Sequence, residues 1–462
     1  QAIIHCRISV RFLRAGWGSV CLVNTRAAAA KILNSLPASG QGYELATNAF
    51  VNAHDYNQSD RDFIYLLVRG VVQYKRLLDY LIDRARSPSK NRLEKLARQL
   101  LRVGALQIAI LKKPIHAAVN ETVAATHQLK QPQMAPLING VLRHLPAESA
   151  WRESLLRLPL PQALAIEYSH PDWLVEKWLT DFGAQNTIII LQFNNEYQKI
   201  FFRHNPFRIG WDELEKLLQI NGYRINKYKD HPIVFFNVDR PGDLLKSEIF
   251  QKGYYSVQDY SQALAVYLLD PQAGENILDA CAAPGGKATL IAQLTKNQAN
   301  ILANDYSPQK IALIQESACR LGIDSLNYSV FDASVNKFAM FDKILVDAPC
   351  SGTGALSRRA DLRWNRQSEN LRRAQDLQAR ILDKVAGSVR ETGVLVYSTC
   401  SIEKEENWTT VKNFLEHHPE FSVDPAPKYI DPLYCDENGA VCVLPFKHNL
   451  AGSFAVRLLK TD

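Results

Sequence analysis

The sequence predicts three parts: an all-helical front, a small α+β middle, and an α/β domain built on a parallel, doubly wound sheet. Three observations predict this. The chain has 462 residues, enough for three domains of about 150 residues each. Apolar residues recur at a 3–4 spacing through the first third, with no β-rich run between them. From residue 250 onward, short apolar runs alternate with helix-length segments, the pattern of a parallel sheet.

Residues 1–23 begin at Gln1 and contain Arg7, Arg11 and Arg14, then Gly16, Trp17 and Gly18. They show neither a clean helical period nor a small-residue cleavage site, so a signal peptide fits poorly. The segment reads as a non-native or disordered extension. The run Arg26-Ala27-Ala28-Ala29-Ala30-Lys31-Ile32-Leu33 consists of strong helix formers. Asp60 to Arg86 places Phe63, Ile64, Leu67, Val71, Tyr74, Leu78 and Leu81 on one helical stripe. Ser87-Pro88-Ser89 punctuates it, with Pro88 ending one helix and Ser89 able to cap the next. The pattern resumes from Leu93 to Ile110, Pro114 opens another helix as an N1-type proline, and Met134 to Leu145 is the last. The helical domain is expected over 24–147.

Pro146, Pro159 and Pro161 mark a boundary. Over 148–247 short elements alternate: Trp173 to Phe182 as helix, Thr187 to Gln192 as strand, Trp211 to Asn221 as helix and Ile233 to Val238 as strand. Over 248–462 the expected strands are Ile277-Leu278, Ile301-Leu302, Lys343 to Val346 and Val394 to Tyr397. Helices Gly286 to Leu294, Pro308 to Leu321 and Leu371 to Val389 separate them. Ligands of such sheets bind beyond the carboxyl ends of the strands.

Composition excludes several classes. With 47% hydrophobic and 22% charged residues the chain is not a disordered one. No apolar run approaches the ~18 residues of a membrane span. Eight cysteines are too sparse for a disulfide scaffold and suit a reducing, cytoplasmic home. The net charge of +7 is uneven: residues 1–150 carry 20 Lys and Arg against 9 Asp and Glu, the remainder 34 against 38. A polyanionic partner for the front third and a solvated set of basic helix faces both explain that asymmetry.

The sharpest motif is Asn276-Ile277-Leu278-Asp279-Ala280-Cys281-Ala282-Ala283-Pro284-Gly285-Gly286-Lys287. A strand runs into a loop of small residues and then a helix, whose N-terminus the two glycines leave open to a ligand. It is neither the G-x-G-x-x-G dinucleotide loop nor a phosphate-binding P-loop. Asp305 follows the next strand, where an acid accepts from ribose hydroxyls. A ribose without a required pyrophosphate points to a nucleoside such as S-adenosylmethionine. Asp332 either holds the adenine amine or is a turn aspartate. Further on, Asp347-Ala348-Pro349-Cys350-Ser351-Gly352-Thr353-Gly354 and Ser398-Thr399-Cys400-Ser401 each close a strand with a thiol. Such thiols are core residues or a nucleophile with a helper facing one pocket. A zinc site has no C-x-x-C or Cys/His cluster to support it.

The Ala-Pro-Gly-Gly-Lys loop, the Asp-Ala-Pro-Cys-Ser-Gly-Thr-Gly segment and the Ser-Thr-Cys-Ser segment resemble the RNA 5-methylcytosine methyltransferases of the Sun/RsmB family. The resemblance extends back through Phe250 to Asp259 and forward through Glu405-Glu406-Asn407. The front third resembles NusB at Arg26 to Leu33, Leu67 to Val71, Pro114 to Glu121 and Asn139 to Arg143. The resemblance implies a NusB-like RNA-binding domain, a small α+β linking domain and a Rossmann-like class I methyltransferase domain. It implies S-adenosylmethionine as cofactor and 16S rRNA as partner, for a cytoplasmic monomer.

The same resemblance implies Cys400 as nucleophile on cytosine C6, Asp347 as the hydrogen-bond partner of N3 and the exocyclic amine, and Cys350 as the thiol that releases product. Lys287 lowers a thiol pKa or contacts substrate. The cofactor pocket comprises Cys281, Ala282, Ala283, Pro284, Gly285, Gly286, Lys287, Asp305, Asp332 and Asp347, with no metal. Arg358, Arg359, Arg363 and Trp364 read either as a phosphate- and base-contacting segment or as a solvated basic loop. The chain departs from the family at Arg359-Ala360-Asp361 (commonly His-Pro-Asp), at Ala451-Gly452-Ser453-Phe454 (commonly Asp-Gly-Phe-Phe) and at Phe202-Arg203-His204-Asn205 (commonly Leu-Arg-Val-Asn). Cys6, Cys21, Cys319, Cys435 and Cys442 match no catalytic motif and read as structural. The same chemistry on tRNA is one alternative. A non-catalytic RNA-binding or assembly factor is another, and it would need neither Cys350 nor Cys400.

Overall fold

The computed structural model describes residues 24–86, 93–196, 198–229 and 232–461. The readings of 1–23 and of Ser87-Pro88-Ser89 lie outside the described residues. The chain divides into two units, Gln1–Leu158 and Pro159–Asp462.

The described part of the first unit is helical throughout. Asn24 caps the opening helix Thr25–Ser35 by accepting from the backbone N–H of Arg26 and Ala27. Ala27 to Ala30 are completely buried, the small side chains letting neighbouring helices come close. The single helix expected over Asp60 to Arg86 is two, Gln58–Gln73 and Lys75–Ala85, broken at Tyr74. A one-residue break leaves the 3–4 spacing intact, so periodicity did not register it. Pro114 precedes the helix Ile115–Gln128 as its cap rather than standing inside it. Part of the basic surplus is answered internally: Arg98 and Arg102 both pair with Asp79.

The second unit opens with helices and a four-stranded antiparallel sheet ordered β2-β3-β1-β4. Its strands are β1 (Phe202–His204), β2 (Ile225–Lys229), β3 (Phe235–Val238) and β4 (Tyr255–Val257). The expected boundary at 247/248 falls inside this sheet, because β4 pairs with β1 through Phe202–Val257 and His204–Tyr255. The strand expected at Thr187 to Gln192 is helical instead, part of Asp172–Asn195, which bends at Gly183. Four β-branched residues favour a strand locally. Burial decides otherwise: Thr187, Ile190, Leu191 and Asn194 face inward and Ile189 outward, a helical period. Ile190 and Leu191 pack with Leu164, Trp178, Leu356 and Ile402 in one cluster.

The large sheet comprises β5 (Asn276–Asp279), β6 (Asn300–Asn304), β7 (Leu326–Ser329), β8 (Phe341–Asp347), β9 (Val389–Thr399), β10 (Phe421–Val423), β11 (Val441–Val443) and β12 (Ser453–Lys460). Its order is β10-β12-β9-β8-β5-β6-β7, with β11 also on β12. The first five strands in sequence are mutually parallel. The expectation of a parallel sheet is corrected at one edge, where β12 runs antiparallel to β9 and β10 and β11 antiparallel to β12. Helices Gly286–Leu294 and Pro308–Leu321 stand at the expected bounds, and Ser368–Ala386 fills the place expected for Leu371 to Val389. From β5 the chain winds outward through β6 and β7, then returns to β8 on the other side. The reversal of strand order opens a crevice at the carboxyl ends of β5 and β8.

Candidate active site

The loops leaving β5, β6, β8 and β9 meet at that crevice. A cavity of about 650 Å³ opens there, and its wall includes Cys281, Ala283, Asp305, Asp332, Asp347, Cys350 and Cys400. Seven sequence-expected residues from five segments thus come together. Ala282, Pro284, Gly285, Gly286 and Lys287 are not part of the wall. They form the loop and first helical turn that support it. Gly285 is required there by its backbone: φ is +101°, and a Cβ would meet Ile314 Cγ2 at 3.0 Å.

Lys287 stands in the first turn of that helix and is buried. Its Nζ donates to Asp347 Oδ2 at 2.6 Å and to Gln262 Oε1 at 2.8 Å. The other Asp347 oxygen accepts from Ser398 Oγ at 3.0 Å. Asp347 at the end of β8 is thereby fixed from both neighbouring strands, a charge-assisted arrangement that sets the carboxylate's orientation.

The two thiols face each other, Cys350 Sγ to Cys400 Sγ 3.1 Å, with both cysteines unbridged. The hydrogen bond with the Cys350 thiol holds Cys400 below the usual thiol range. Lys287 pulls the same way, while burial, Asp347 and Glu406 oppose it. Cys350 is pushed up by that hydrogen bond and by burial. Only the thiolate is a good nucleophile, and Cys400 is the sulfur of the two whose surroundings hold its pKa down. Burial drives the Cys281 thiol well up, which keeps it neutral.

At the β6 and β7 side of the cavity, Asp305 is buried and accepts from the Ser307 N–H at 3.2 Å, with Lys310 Nζ at 3.5 Å. Asp332 is exposed at the cavity, where the Ser334 hydroxyl and N–H hold its carboxyl below the usual range. Both carboxylates retain acceptor capacity for a ligand.

The basic segment divides. Arg359 lines the cavity. Arg358 pairs with Asp259 at 2.8 Å and donates to the Lys199 carbonyl. Arg363 is 1% exposed and donates to the carbonyls of Ser169 and Asn194 and to Asn195 Oδ1. Its reading as a phosphate contact is corrected: it is a structural anchor. Trp364 is half-buried in the short helix Leu362–Asn365.

Sequence reasoning missed several residues. Arg366 lines the cavity and donates to the Ser351 carbonyl at 3.0 Å; it lies two places beyond the segment that was read. Arg203, fully buried on β1, donates to the Gly286 carbonyl at 2.8 Å and to Thr289 Oγ1 at 3.0 Å. The small sheet therefore braces the glycine loop, and a lone arginine in an apolar strand was the available signal. Asp279, completely buried at the end of β5, is pushed up to about 7 by burial, with Asp347 adding to it. Gly354 and Gly452 meet backbone to backbone: Gly452 N donates to Gly354 O at 2.9 Å, and a Cβ on Gly354 would lie 2.3 Å from the Gly452 carbonyl. Among the described residues the one carboxylate group close enough to share a cation is Asp181, Glu403 and Glu405. Lys177 Nζ already stands among them at 2.6, 3.4 and 2.8 Å.

A family model described as 16S rRNA methyltransferase RsmB/F matches residues 266–459. The "Probable ribosomal RNA small subunit methyltransferase B" of Bacillus subtilis is 31% identical over 431 residues, covering 90% of this chain and 94% of that relative. The chain belongs to the RsmB/F family. Two further family models match within it: the NusB family over 23–146 and a RsmF/B-like ferredoxin-like domain over 170–236. The "Ribosomal RNA small subunit methyltransferase B" of Cronobacter sakazakii is 32% identical, over 87% of this chain and 92% of its own length. The crystal structure of PH0851 superposes with a TM-score of 0.77 at 25% identity, over 94% of this chain and 99% of that one. Among the described residues no helix is long and apolar enough to cross a membrane.

Proposed function

We propose that this chain transfers a methyl group from S-adenosylmethionine to C5 of a cytosine in small-subunit (16S) rRNA. The observation that carries the reading is the pair of thiols 3.1 Å apart at the mouth of a cavity that also holds Asp347. Binding alone needs neither thiol. The residues fit the cofactor: Asp305 for ribose hydroxyls and Asp332 for the adenine end, both on the cavity wall. Bound there, S-adenosylmethionine supplies an electrophilic methyl group.

Cytosine C5 is a poor nucleophile by itself. The Cys400 thiolate adds to C6, which makes C5 enamine-like and able to take the methyl group. Asp347, oriented by Lys287 and Ser398, hydrogen-bonds N3 and the exocyclic amine and stabilises the adduct. Water takes the C5 proton, the C5–H electrons re-form the C5–C6 double bond, and C6–S cleavage expels Cys400 as thiolate, a release that the Cys350 thiol assists. A target base inside a duplex must be extruded to reach the cavity. In this reading residues 24–147 bind RNA, 148–247 link and help recognise it, 248–462 carry the chemistry, and the protein is a cytoplasmic monomer. The names of the curated relatives support rRNA over tRNA as substrate.

The test is methyl transfer from labelled S-adenosylmethionine to unmodified small-subunit rRNA and, separately, to bulk tRNA. Label on rRNA mapping to cytosine C5 is the expected result. Label on tRNA alone would overturn the substrate, and label on neither would favour an assembly factor.

A further inference from the structure

Glu406 is completely buried, 0% exposed, and is not part of the cavity wall. Its carboxylate nevertheless ties together the two loops that carry the thiols. Oε1 accepts from the Ser351 N–H at 2.7 Å and from Gln378 Nε2 at 3.1 Å. Oε2 accepts from the Ser401 hydroxyl at 2.5 Å and from the Ser351 hydroxyl. Ser351 directly follows Cys350, and Ser401 directly follows Cys400. Gln378 also donates to the Pro349 carbonyl at 2.9 Å, on the other side of Cys350. A carboxylate accepts about four hydrogen bonds, and all four here come from groups that flank the thiols or hold the Cys350 loop.

We propose that Glu406 is a positioning residue that clamps the Cys350 and Cys400 loops so that their thiols meet over one cavity. The proposal rests on the methyl-transfer reading for its purpose, though the clamp itself is geometric. An uncharged group of this size would hold the loops with fewer acceptors. A carboxylate also places negative charge near both sulfurs, opposing the thiolate. Cys400 is thus faced by two anions, Asp347 and Glu406, by the cation Lys287 and by the Cys350 thiol. Glu406 trades some thiolate fraction for a fixed thiol–thiol geometry.

Two variants of the full chain separate the functions of the clamp. In Glu406→Gln the amide oxygen can take the Oε1 position and the amide NH₂ can donate to the serine hydroxyls, which rotate to accept. Geometry survives and the charge is lost. Iodoacetamide labelling of Cys400, mapped by mass spectrometry, is then expected about threefold faster at pH 7, with its midpoint at lower pH. In Glu406→Ala the clamp is gone. Diamide takes the two thiol hydrogens to give a Cys350–Cys400 disulfide and the hydrazine. That closure is expected about tenfold slower than in wild type. Methyl transfer by Glu406→Ala is expected to lose kcat with KM for S-adenosylmethionine unchanged, since Glu406 does not touch the cavity.

Wild-type disulfide closure in Glu406→Ala overturns the proposal, and an unshifted labelling midpoint in Glu406→Gln overturns the opposition of its charge to the thiolate. Should Glu406→Ala not fold, Ser401→Ala, which removes one bond of the clamp, decides in its place: slower closure supports the clamp and wild-type closure overturns it. Neither thiol readout uses RNA. A wild-type protein that methylates nothing would therefore sink the methyl-transfer reading while the role of Glu406 was still decided.

Discussion

The ends of β8 and β9 carry the same chemistry in different surroundings. Each strand stops at a polar residue, Asp347 or Thr399, and then presents a cysteine. The Cys350 thiol is pushed up, and the Cys400 sulfur hydrogen-bonded to it is held down. Nothing in the two side chains distinguishes them. The difference lies first in the hydrogen bond between them and then in a neighbour from a third strand's helix, Lys287. Identical groups are shifted in opposite directions because the surrounding charges are not symmetric about the pair.

The largest break in that comparison is removal of either sulfur. Cys400→Ala should lose at least about 10³-fold in methyl transfer, as expected when a nucleophile is deleted. Cys350→Ala should instead retain adduct formation and stall at release. A denaturing gel with labelled rRNA then shows a trapped protein–RNA band for Cys350→Ala alone. Equal bands, or none, would mean the two roles are wrongly assigned.

Removing the source of the asymmetry should cost less. Lys287→Met keeps most of the stem but drops two hydrogen bonds and the cation. Losing charged hydrogen bonds of this kind costs about 1.5–3 kcal/mol, or roughly 10- to 100-fold in kcat/KM. The sign on Cys400 is set: without the cation the thiolate is less stable, so the pH–rate midpoint moves to higher pH. A shift downward would refute the electrostatic account.

Gly354→Ala probes the frame that holds the two strand ends. Its Cβ would press on the Gly452 carbonyl at 2.3 Å, so the loops must part. Overpacking costs about 1–3 kcal/mol, readable as a lower urea midpoint. Disulfide closure between the two thiols should slow in parallel.

The last test concerns pH. Asp279 and Glu403 are each pushed up to about 7, in both cases mainly by burial. Below about pH 4 the folded and unfolded chains both hold these protons. Between about 4 and 7 the unfolded carboxyls release them while the folded ones keep them. Stability therefore falls as pH rises through that window, by at most about 1.4 kcal/mol per unit for each group. Asp279→Asn should remove its share of the slope in urea titrations at pH 5 and pH 7. An unchanged slope would show that Asp279 is already ionised in the fold.

Much of this was legible in the sequence because it is local. The glycine loop, the two thiol segments and the acid after β6 each sit at a strand end, and strand ends converge in a doubly wound sheet. Local signals failed where packing had the deciding vote. Ile188 to Leu191 reads as strand by propensity and is helix by burial. Arg363 reads as a surface cation and is an internal anchor, because its donors happen to meet three buried acceptors. A bend at Tyr74 left no mark on the periodicity.

By itself, the sequence determined the three-part organisation, the strand–loop–helix frame of the site and the residue types that line it, since each depends on neighbours a few positions apart. Only the tertiary structure decided which thiol is held down, that Lys287 and Ser398 fix Asp347, that Arg203 braces the glycine loop, and that Glu406 joins the loops of Cys350 and Cys400. Apart from Glu406–Ser401, these are contacts between residues 50 to 86 positions apart, or else the outcome of competing charges and desolvation at one point in space. Neither distance nor burial is written into the local order of the chain.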